Sequence, residues 1–142
     1  MSSPTIHTGG CRCGAIRFEA SAQPFYASYC HCSDCRRASG APVAAFVGFY
    51  AADVRFSGAT GSTYGKEPVK RSFCANCGAP IAYTDERLSD QIFFMLGAMD
   101  APERYPPRVH GYVREELPFF HLDDGLPRLE TNTAPRPEET QT

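Results

Sequence analysis

The sequence predicts an all-β fold, in which small and mainly antiparallel sheets form a single domain. Short runs of β-branched and aromatic residues are separated by glycine and proline, which is typical of strands joined by turns. No window shows a sustained 3.6-residue apolar period, so long helices are not expected. The length of 142 residues suits one domain.

Eight segments are predicted to be strands from their alternation and their β-forming residues. The first shows the pattern clearly, because Ile16 and Phe18 alternate with Arg17 and Glu19. In chain order the predicted strands are residues 15–20, 25–29, 43–50, 54–57, 69–73, 80–84, 91–96 and 108–113. Short helical turns are predicted only around residues 32–39 and 101–105.

The two ends of the chain are polar and carry proline, so neither is expected to join the fold. Residues 1–5 are predicted to be a flexible N-terminus and residues 131–142 a disordered tail. The domain is therefore predicted to span residues 6–130.

The charge balance excludes some classes of partner. The formal net charge is −2 and no basic run is present, so nucleic acid is not an expected partner. No stretch approaches the ~20 apolar residues of a membrane span, and the first residues do not resemble a signal peptide. A cytoplasmic, reducing location is expected, where clustered cysteines are metal ligands or redox groups rather than disulfides.

All seven cysteines fall in three tight clusters with the spacing of metal chelates. Sulfur ligands in such clusters suit tetrahedral zinc. Seven divides naturally into four and three: a four-thiolate zinc site is closed and structural, whereas three thiolates leave an open position. The clusters are Cys11 and Cys13; Cys30, Cys32 and Cys35; and Cys74 and Cys77.

Spacing alone permits two groupings of these ligands. In the first, Cys11 and Cys13 join Cys74 and Cys77, and the cup of three thiols stands alone. In the second, Cys32 and Cys35 join Cys74 and Cys77 in a ribbon-type site, and Cys11, Cys13 and Cys30 remain. In either grouping the 74–77 pair forms a knuckle, in which Gly78 is free to take the positive φ that such a turn often needs.

Four segments together resemble one family, that of glutathione-dependent formaldehyde-activating enzymes and centromere protein V, which is related to the Mss-four-like zinc folds. They are GGCRCGAIRFE (9–19), CHCSDCRRASGAP (30–42), RSFCANCGAPIAY (71–83) and DGLPRLE (124–130). The resemblance covers about residues 6–130. It departs at Pro118-Phe119-Phe120, where many members carry a tryptophan.

The resemblance implies the four-plus-three grouping, with two Zn²⁺ ions per chain. Cys11, Cys13, Cys74 and Cys77 would hold a structural zinc. The catalytic zinc would belong to Cys30, Cys32 and Cys35. It also implies an Mss-four-like arrangement of sheets around the metals, and a carbon–sulfur lyase of the S-hydroxymethylglutathione synthase type. Its substrates would be glutathione and a small aldehyde such as formaldehyde.

Polar residues near the clusters have predicted roles. Arg36 and Arg37 follow the triple directly and are predicted to hold glutathione carboxylates, because guanidinium matches carboxylate in a two-pronged fork. His31 is interpreted as a loop spacer or a proton shuttle. Asp34 is expected to orient a ligand or an arginine. Arg71 is expected to pair with an acidic group or a carbonyl near the four-cysteine site.

The remaining histidines are assigned from their surroundings in the sequence. His110 is expected to pack between the sheets, whereas His7 and His121 are expected at the surface. Two other functions stay open: a zinc–thiol reaction on another electrophile, and a non-catalytic zinc-binding interaction module. The short, slightly acidic tail favours a small enzyme over an interaction module. The protein is expected to be a monomer or homodimer.

Overall fold

A computed structural model describes residues 5–133 of the chain. Within that range the chain forms one α-helix and ten strands, and the strands are arranged in two sheets. This confirms the predicted all-β, single-domain fold. The elements are β1 (His7–Gly10), β2 (Ile16–Ala20), β3 (Tyr26–Cys30), α1 (Ser33–Ser39), β4 (Ala44–Tyr50), β5 (Val54–Gly58), β6 (Ser62–Tyr64), β7 (Val69–Phe73), β8 (Pro80–Asp85), β9 (Gln91–Met95) and β10 (His110–Gly111). No helix among these residues is long and apolar enough to cross a membrane.

The smaller sheet has the order β1-β2-β5 and is antiparallel throughout. Alternation in β2 directs Ile16 and Phe18 into the core and Arg17 outward, as the sequence predicts. Phe18 stacks on Phe94 of the other sheet with a centroid distance of 3.8 Å. The core therefore lies between the two sheets.

The larger sheet has the order β10-β3-β4-β9-β8-β7-β6. Its neighbours pair antiparallel except for β10, which lies parallel to β3. β4 is buried along nearly its whole length, consistent with a central strand covered on both faces. This sheet contributes the end of β3 and the β7–β8 turn to the cysteine clusters.

Several boundaries differ from the sequence-based prediction. β1 and β6 were not predicted, and the segment predicted at residues 108–113 contains only the two-residue strand β10. The strand ends because Tyr112 takes a left-handed backbone conformation with φ of 55°. The helical turns are confirmed as α1 and as a 3-10 turn at Pro102–Arg104.

The expectation that His7 lies at the surface is wrong. Its side chain is 2% exposed, and its Nδ1 lies 2.6 Å from the hydroxyl of Tyr105. The reason is β1: pairing of His7 with Ala20 of β2 turns the imidazole inward, where it packs beside Phe49. His121 is exposed and His110 is buried, as predicted.

Contacts at the C-terminal end continue beyond residue 130. The N–H of Tyr112 donates to the carbonyl of Thr131 at 2.9 Å, and the hydroxyl of Thr133 contacts that of Tyr26. The predicted domain boundary at residue 130 thus omits three residues that pack on the domain. Residues 1–4 and 134–142 lie outside the described residues.

Candidate functional site

The first cluster unites cysteines from two turns. Cys11 and Cys13 lie between β1 and β2, and Cys74 and Cys77 lie between β7 and β8. Their four sulfurs all lie within 4.8 Å of one another. The group therefore ties the smaller sheet to the larger one.

The spacing of these sulfurs fits a tetrahedral metal ion. A zinc–sulfur bond of about 2.3 Å places the sulfurs of a tetrahedral site about 3.8 Å apart. The Sγ atoms of Cys11 and Cys13 are separated by 3.6 Å, and those of Cys13 and Cys74 by 3.8 Å. The donor set and its size therefore suit zinc.

Nearby N–H groups favour the thiolate form at this cluster. The N–H of Ile16 donates to the sulfur of Cys11 at 3.2 Å, and the side-chain amide of Asn76 donates to that of Cys13 at 3.2 Å. The first of these bonds outweighs burial and lowers the pKa of Cys11 to about 6. In the knuckle, Gly78 has the predicted positive φ, at 79°.

The second cluster is formed within one short segment. Cys30 ends β3, Cys32 is the N-cap residue of α1, and Cys35 lies in its first turn. Their sulfurs lie within 4.8 Å of one another, and the N–H of Cys35 donates to the sulfur of Cys32 at 3.2 Å. The structure thus groups the seven thiols as four and three, and the alternative ribbon grouping is not found.

The close approach of the three thiols lowers the pKa of one and raises the pKa of another. Hydrogen bonds from the thiols of Cys30 and Cys35 lower the pKa of Cys32 far below its usual range. The contacts of Cys30 with Cys32 and Cys35, together with burial, raise the pKa of Cys30. Three sulfurs this close together suit a cation, because a bound cation would favour their thiolate forms.

Arg71 lies at the three-thiol cluster, and the expectation that it serves the four-cysteine site is wrong. Its Nη2 donates to Asp34 at 2.7 Å and to the sulfur of Cys35 at 3.5 Å, and its guanidinium lies 5.0 Å from the ring centroid of Tyr83. The reason is that Arg71 pairs with Tyr83 across β7 and β8, which directs its side chain toward α1.

The charge of Arg71 is secured by its partners. Burial lowers the pKa of the guanidinium, but hydrogen bonds to Asp34 and Cys35 outweigh burial, and the net effect raises the pKa. The predicted orienting role of Asp34 is consistent with this ion pair. A buried positive charge beside Cys35 offsets negative charge on the thiolates.

A cavity of about 420 Å³ opens beside the three thiols. Aromatic side chains line it, and its polar groups converge from five segments of the chain. The aromatic lining residues are Tyr26, Tyr29, Phe46, Tyr83, Phe93 and Tyr112. The charged and amide-bearing lining residues are Asp34, Arg71, Arg87, Glu115 and Asn132. A pocket of this size with few convergent polar groups is typical of a small-molecule site.

Arg87 was not singled out from the sequence, yet it is held firmly at this cavity. Its Nε and Nη2 each donate to the carboxylate of Asp85 at 2.8 Å, and Asp85 is 1% exposed. The side chain of Asp85 also accepts from the N–H of Arg87 and so begins the 3-10 turn Glu86–Leu88. Sequence reasoning had only a common Asp-x-Arg pattern to find it by.

Arg36 and Arg37 lie outside the cavity lining. Arg36 uses its Nη1 to bond the carbonyls of His31 at 2.7 Å and Glu115 at 2.5 Å. Arg37 is exposed on α1. Their role in binding glutathione carboxylates stays a prediction.

Behind the three thiols lies a chain of buried polar contacts that the sequence did not reveal. His31 Nε2 lies 2.8 Å from His110 Nδ1, and His110 Nε2 lies 2.9 Å from Asp124 Oδ2. Both imidazoles are 0% exposed. Burial, with smaller effects of His110 and Arg128, lowers the pKa of His31 to about 4.

Comparison with known proteins agrees with this geometry. The family model described as glutathione-dependent formaldehyde-activating enzyme matches residues 6–115. A relative from Halomonas elongata, named provisionally as such an enzyme, is 30% identical, with 81% of this chain and 80% of that one covered.

A solved structure of a Rhodobacter sphaeroides protein has a similar fold. Its TM-score is 0.52 at 22% identity, with 86% of this chain and 98% of that chain covered. The fold, the two thiol clusters and the family match are mutually consistent. The chain belongs to the glutathione-dependent formaldehyde-activating enzyme family.

Proposed function

We propose that the chain is a zinc-dependent carbon–sulfur lyase of the S-hydroxymethylglutathione synthase type. The observation that carries the proposal is the three-thiol group, which opens into a cavity large enough for a small molecule. The family match supports glutathione and formaldehyde as the reactants. Two zinc ions per chain are part of the proposal: a structural one at the four-thiol cluster and a catalytic one at Cys30, Cys32 and Cys35.

The proposed reaction needs a thiolate and a proton source. A zinc ion with three thiolate ligands would supply positive charge that deprotonates a thiol in the open position. The glutathione sulfur would then attack the carbonyl carbon; a carbon–sulfur bond forms and the π electrons move to oxygen. That oxygen takes up one proton, equal to the one that the thiol released, to give the hemithioacetal; the reverse sequence breaks the carbon–sulfur bond and returns the proton to sulfur.

The walls of the cavity would orient the reactants. Arg71 keeps positive charge beside Cys35, and Tyr26 presents a hydroxyl that accepts a hydrogen bond from Ser28 at 2.7 Å. Burial raises the pKa of Tyr26, so its hydroxyl keeps its proton at neutral pH. These groups suit a cavity that binds a polar thiol and a small carbonyl compound.

The test of this function uses the full chain purified under reducing conditions without chelator. Elemental mass spectrometry is expected to find two zinc ions per chain. NMR exchange between ¹³C-formaldehyde and glutathione is expected to be faster with the protein than without it. One zinc ion, or an exchange rate equal to the spontaneous one, would contradict the proposal.

Arg87 is proposed as the group that meets a glutathione carboxylate, because it lines the cavity and Asp85 fixes its orientation. Arg87→Lys keeps the charge beside buried Asp85 but loses the planar fork. We expect glutathione affinity, measured by calorimetry, to fall about tenfold, the value of one charge-assisted hydrogen bond.

The matched control is Arg55→Lys, the same exchange at an exposed position outside the cavity lining. Its glutathione affinity is expected to equal that of the wild type. Affinity that is lost in Arg37→Lys and kept in Arg87→Lys would contradict the role of Arg87 and favour the predicted role of Arg36 and Arg37.

The cellular location is proposed from the same thiol chemistry. All seven cysteines lie in the described residues and none forms a disulfide there. Free thiols and a glutathione substrate both suit a reducing compartment, and a cytoplasmic location is part of the proposal.

A further inference from the structure

His31 is anchored through both its backbone and its ring, although it lies between two candidate metal ligands. Its N–H donates to the carbonyl of Gly111 at 3.0 Å, and its carbonyl accepts from Arg36 at 2.7 Å. Its ring contacts His110 at 2.8 Å and is 0% exposed. These contacts hold both the backbone and the ring of His31 in place.

Its anchoring decides where the neighbouring thiols point. Successive side chains in an extended segment project to opposite sides. Because the imidazole of His31 is buried on one side, the thiols of Cys30 and Cys32 project to the other, where the cavity lies. A rotation of His31 would separate these two sulfurs from Cys35.

The hydrogen bonds behind His31 lead through His110 to a carboxylate. A carboxylate only accepts hydrogen bonds, so His110 Nε2 donates to Asp124. The other ring nitrogen of His110, Nδ1, lies 2.8 Å from Nε2 of His31, so a hydrogen bond joins the two rings. Asp124, whose side chain is 33% exposed, stands at the outer end of these contacts.

We propose that Asp124 and His110 are positioning residues for the three-thiol site, which hold His31 and thereby keep Cys30 and Cys32 facing one metal ion. The proposal rests on the metal assigned to that site under the proposed function, but not on the reaction. Removing a group bonded directly to a metal ligand commonly changes metal affinity about 10–100-fold. Asp124 and His110 act one residue further back, through His31, so an effect at the lower end of that range is expected.

The C-terminal segment delivers the carboxylate. The N–H of His110 donates to the carbonyl of Pro127 at 2.8 Å, and the N–H of Leu129 donates to that of His110 at 2.8 Å. Asp124 therefore reaches His110 from a segment that is paired to β10 just after it. This segment lies beyond the residues 6–115 that match the family model.

The test is zinc release from the full, zinc-loaded chain to a chromogenic chelator. Asp124→Ala is expected to weaken zinc binding at the three-thiol site about tenfold and to leave the four-thiol site unchanged. Asp124→Asn keeps an acceptor oxygen, so its loss is expected to be smaller. Asp123→Ala, which removes the neighbouring exposed carboxylate, is the matched control and is expected to match the wild type.

A second readout separates positioning from general stability. In cobalt-loaded protein, the thiolate-to-cobalt absorption of the three-thiol site is expected to weaken in Asp124→Ala, while the unfolding temperature stays near that of the wild type. Equal loss of zinc from both sites would overturn the proposal in favour of a purely structural role. Unchanged zinc release in Asp124→Ala would also overturn the proposal, because Asp124 would then have no effect on the site.

The result for the wild type separates this inference from the proposed function. A wild type that binds a single zinc ion would overturn both together. A wild type with two ions, but with thiol chemistry no faster than the spontaneous reaction, would overturn the function alone. The effect of Asp124→Ala on zinc release would still decide the positioning role.

Discussion

Cys74→Ser is expected to unfold the domain. Cys74 is 2% exposed, packs in the core, and belongs to the four-thiol cluster that joins the two sheets. Apparent binding energies of structural zinc are on the order of 10–16 kcal/mol, whereas a domain is stable by about 5–15 kcal/mol. Cys74→Ser leaves three thiols at this site and puts a hydroxyl in the core, so it is expected to lose a share of that free energy comparable with the stability of the fold.

Circular dichroism and thermal unfolding measure this effect. Cys74→Ser should show a lost or strongly lowered transition and aggregate on purification. The control is Ala75→Ser, which places the same side chain at the next, exposed position of the knuckle and keeps all four thiols. A Cys74→Ser protein that melts like this control would show that the four-thiol cluster does not hold the sheets together.

Much of the fold could be predicted because burial leaves a local pattern. In β2, apolar residues alternate with polar ones since only one face meets the core, and in β4 nearly every residue is buried. β1 has the sequence His-Thr-Gly-Gly and forms only because it pairs with β2. These residues have no strong preference for strands, so the sequence did not predict β1. Because β1 was not predicted, the burial of His7 was not predicted either.

The cysteine grouping illustrates a different limit. Spacing along the chain shows which residues chelate together locally, but two groupings satisfied it. The choice depends on which turns the sheets bring together, and the β1–β2 turn meets the β7–β8 turn. The family resemblance supplied that grouping in advance.

Contacts between distant residues left no sequence signal. His31 and His110 are separated by 79 positions, and Arg71 and Asp34 by 37. The direction of a side chain depends on strand register, so the sequence placed Arg71 beside the nearest cysteines rather than the correct ones. Asn132 and Thr133 also line the cavity, although they lie far along the chain from most of the other lining residues.

Cys32→Ser is expected to abolish the thiol–aldehyde chemistry while the domain stays folded. Serine is among the best N-cap residues, so its hydroxyl can accept the hydrogen bond from Cys35 N–H that the sulfur of Cys32 now accepts. The helix α1 keeps its cap, and the four-thiol cluster is untouched. The three-thiol site, however, is left with two thiols and loses its hold on zinc.

Three measurements on one preparation test this expectation. Zinc should fall from two ions per chain to one, formaldehyde–glutathione exchange should drop to the spontaneous rate, and the unfolding temperature should stay within a few degrees of the wild type. Ala38→Ser, which adds a hydroxyl to α1 without removing a thiol, is the control. If Cys32→Ser damaged the fold as severely as Cys74→Ser, both clusters would be structural, and the division into one supporting and one reacting metal would be wrong.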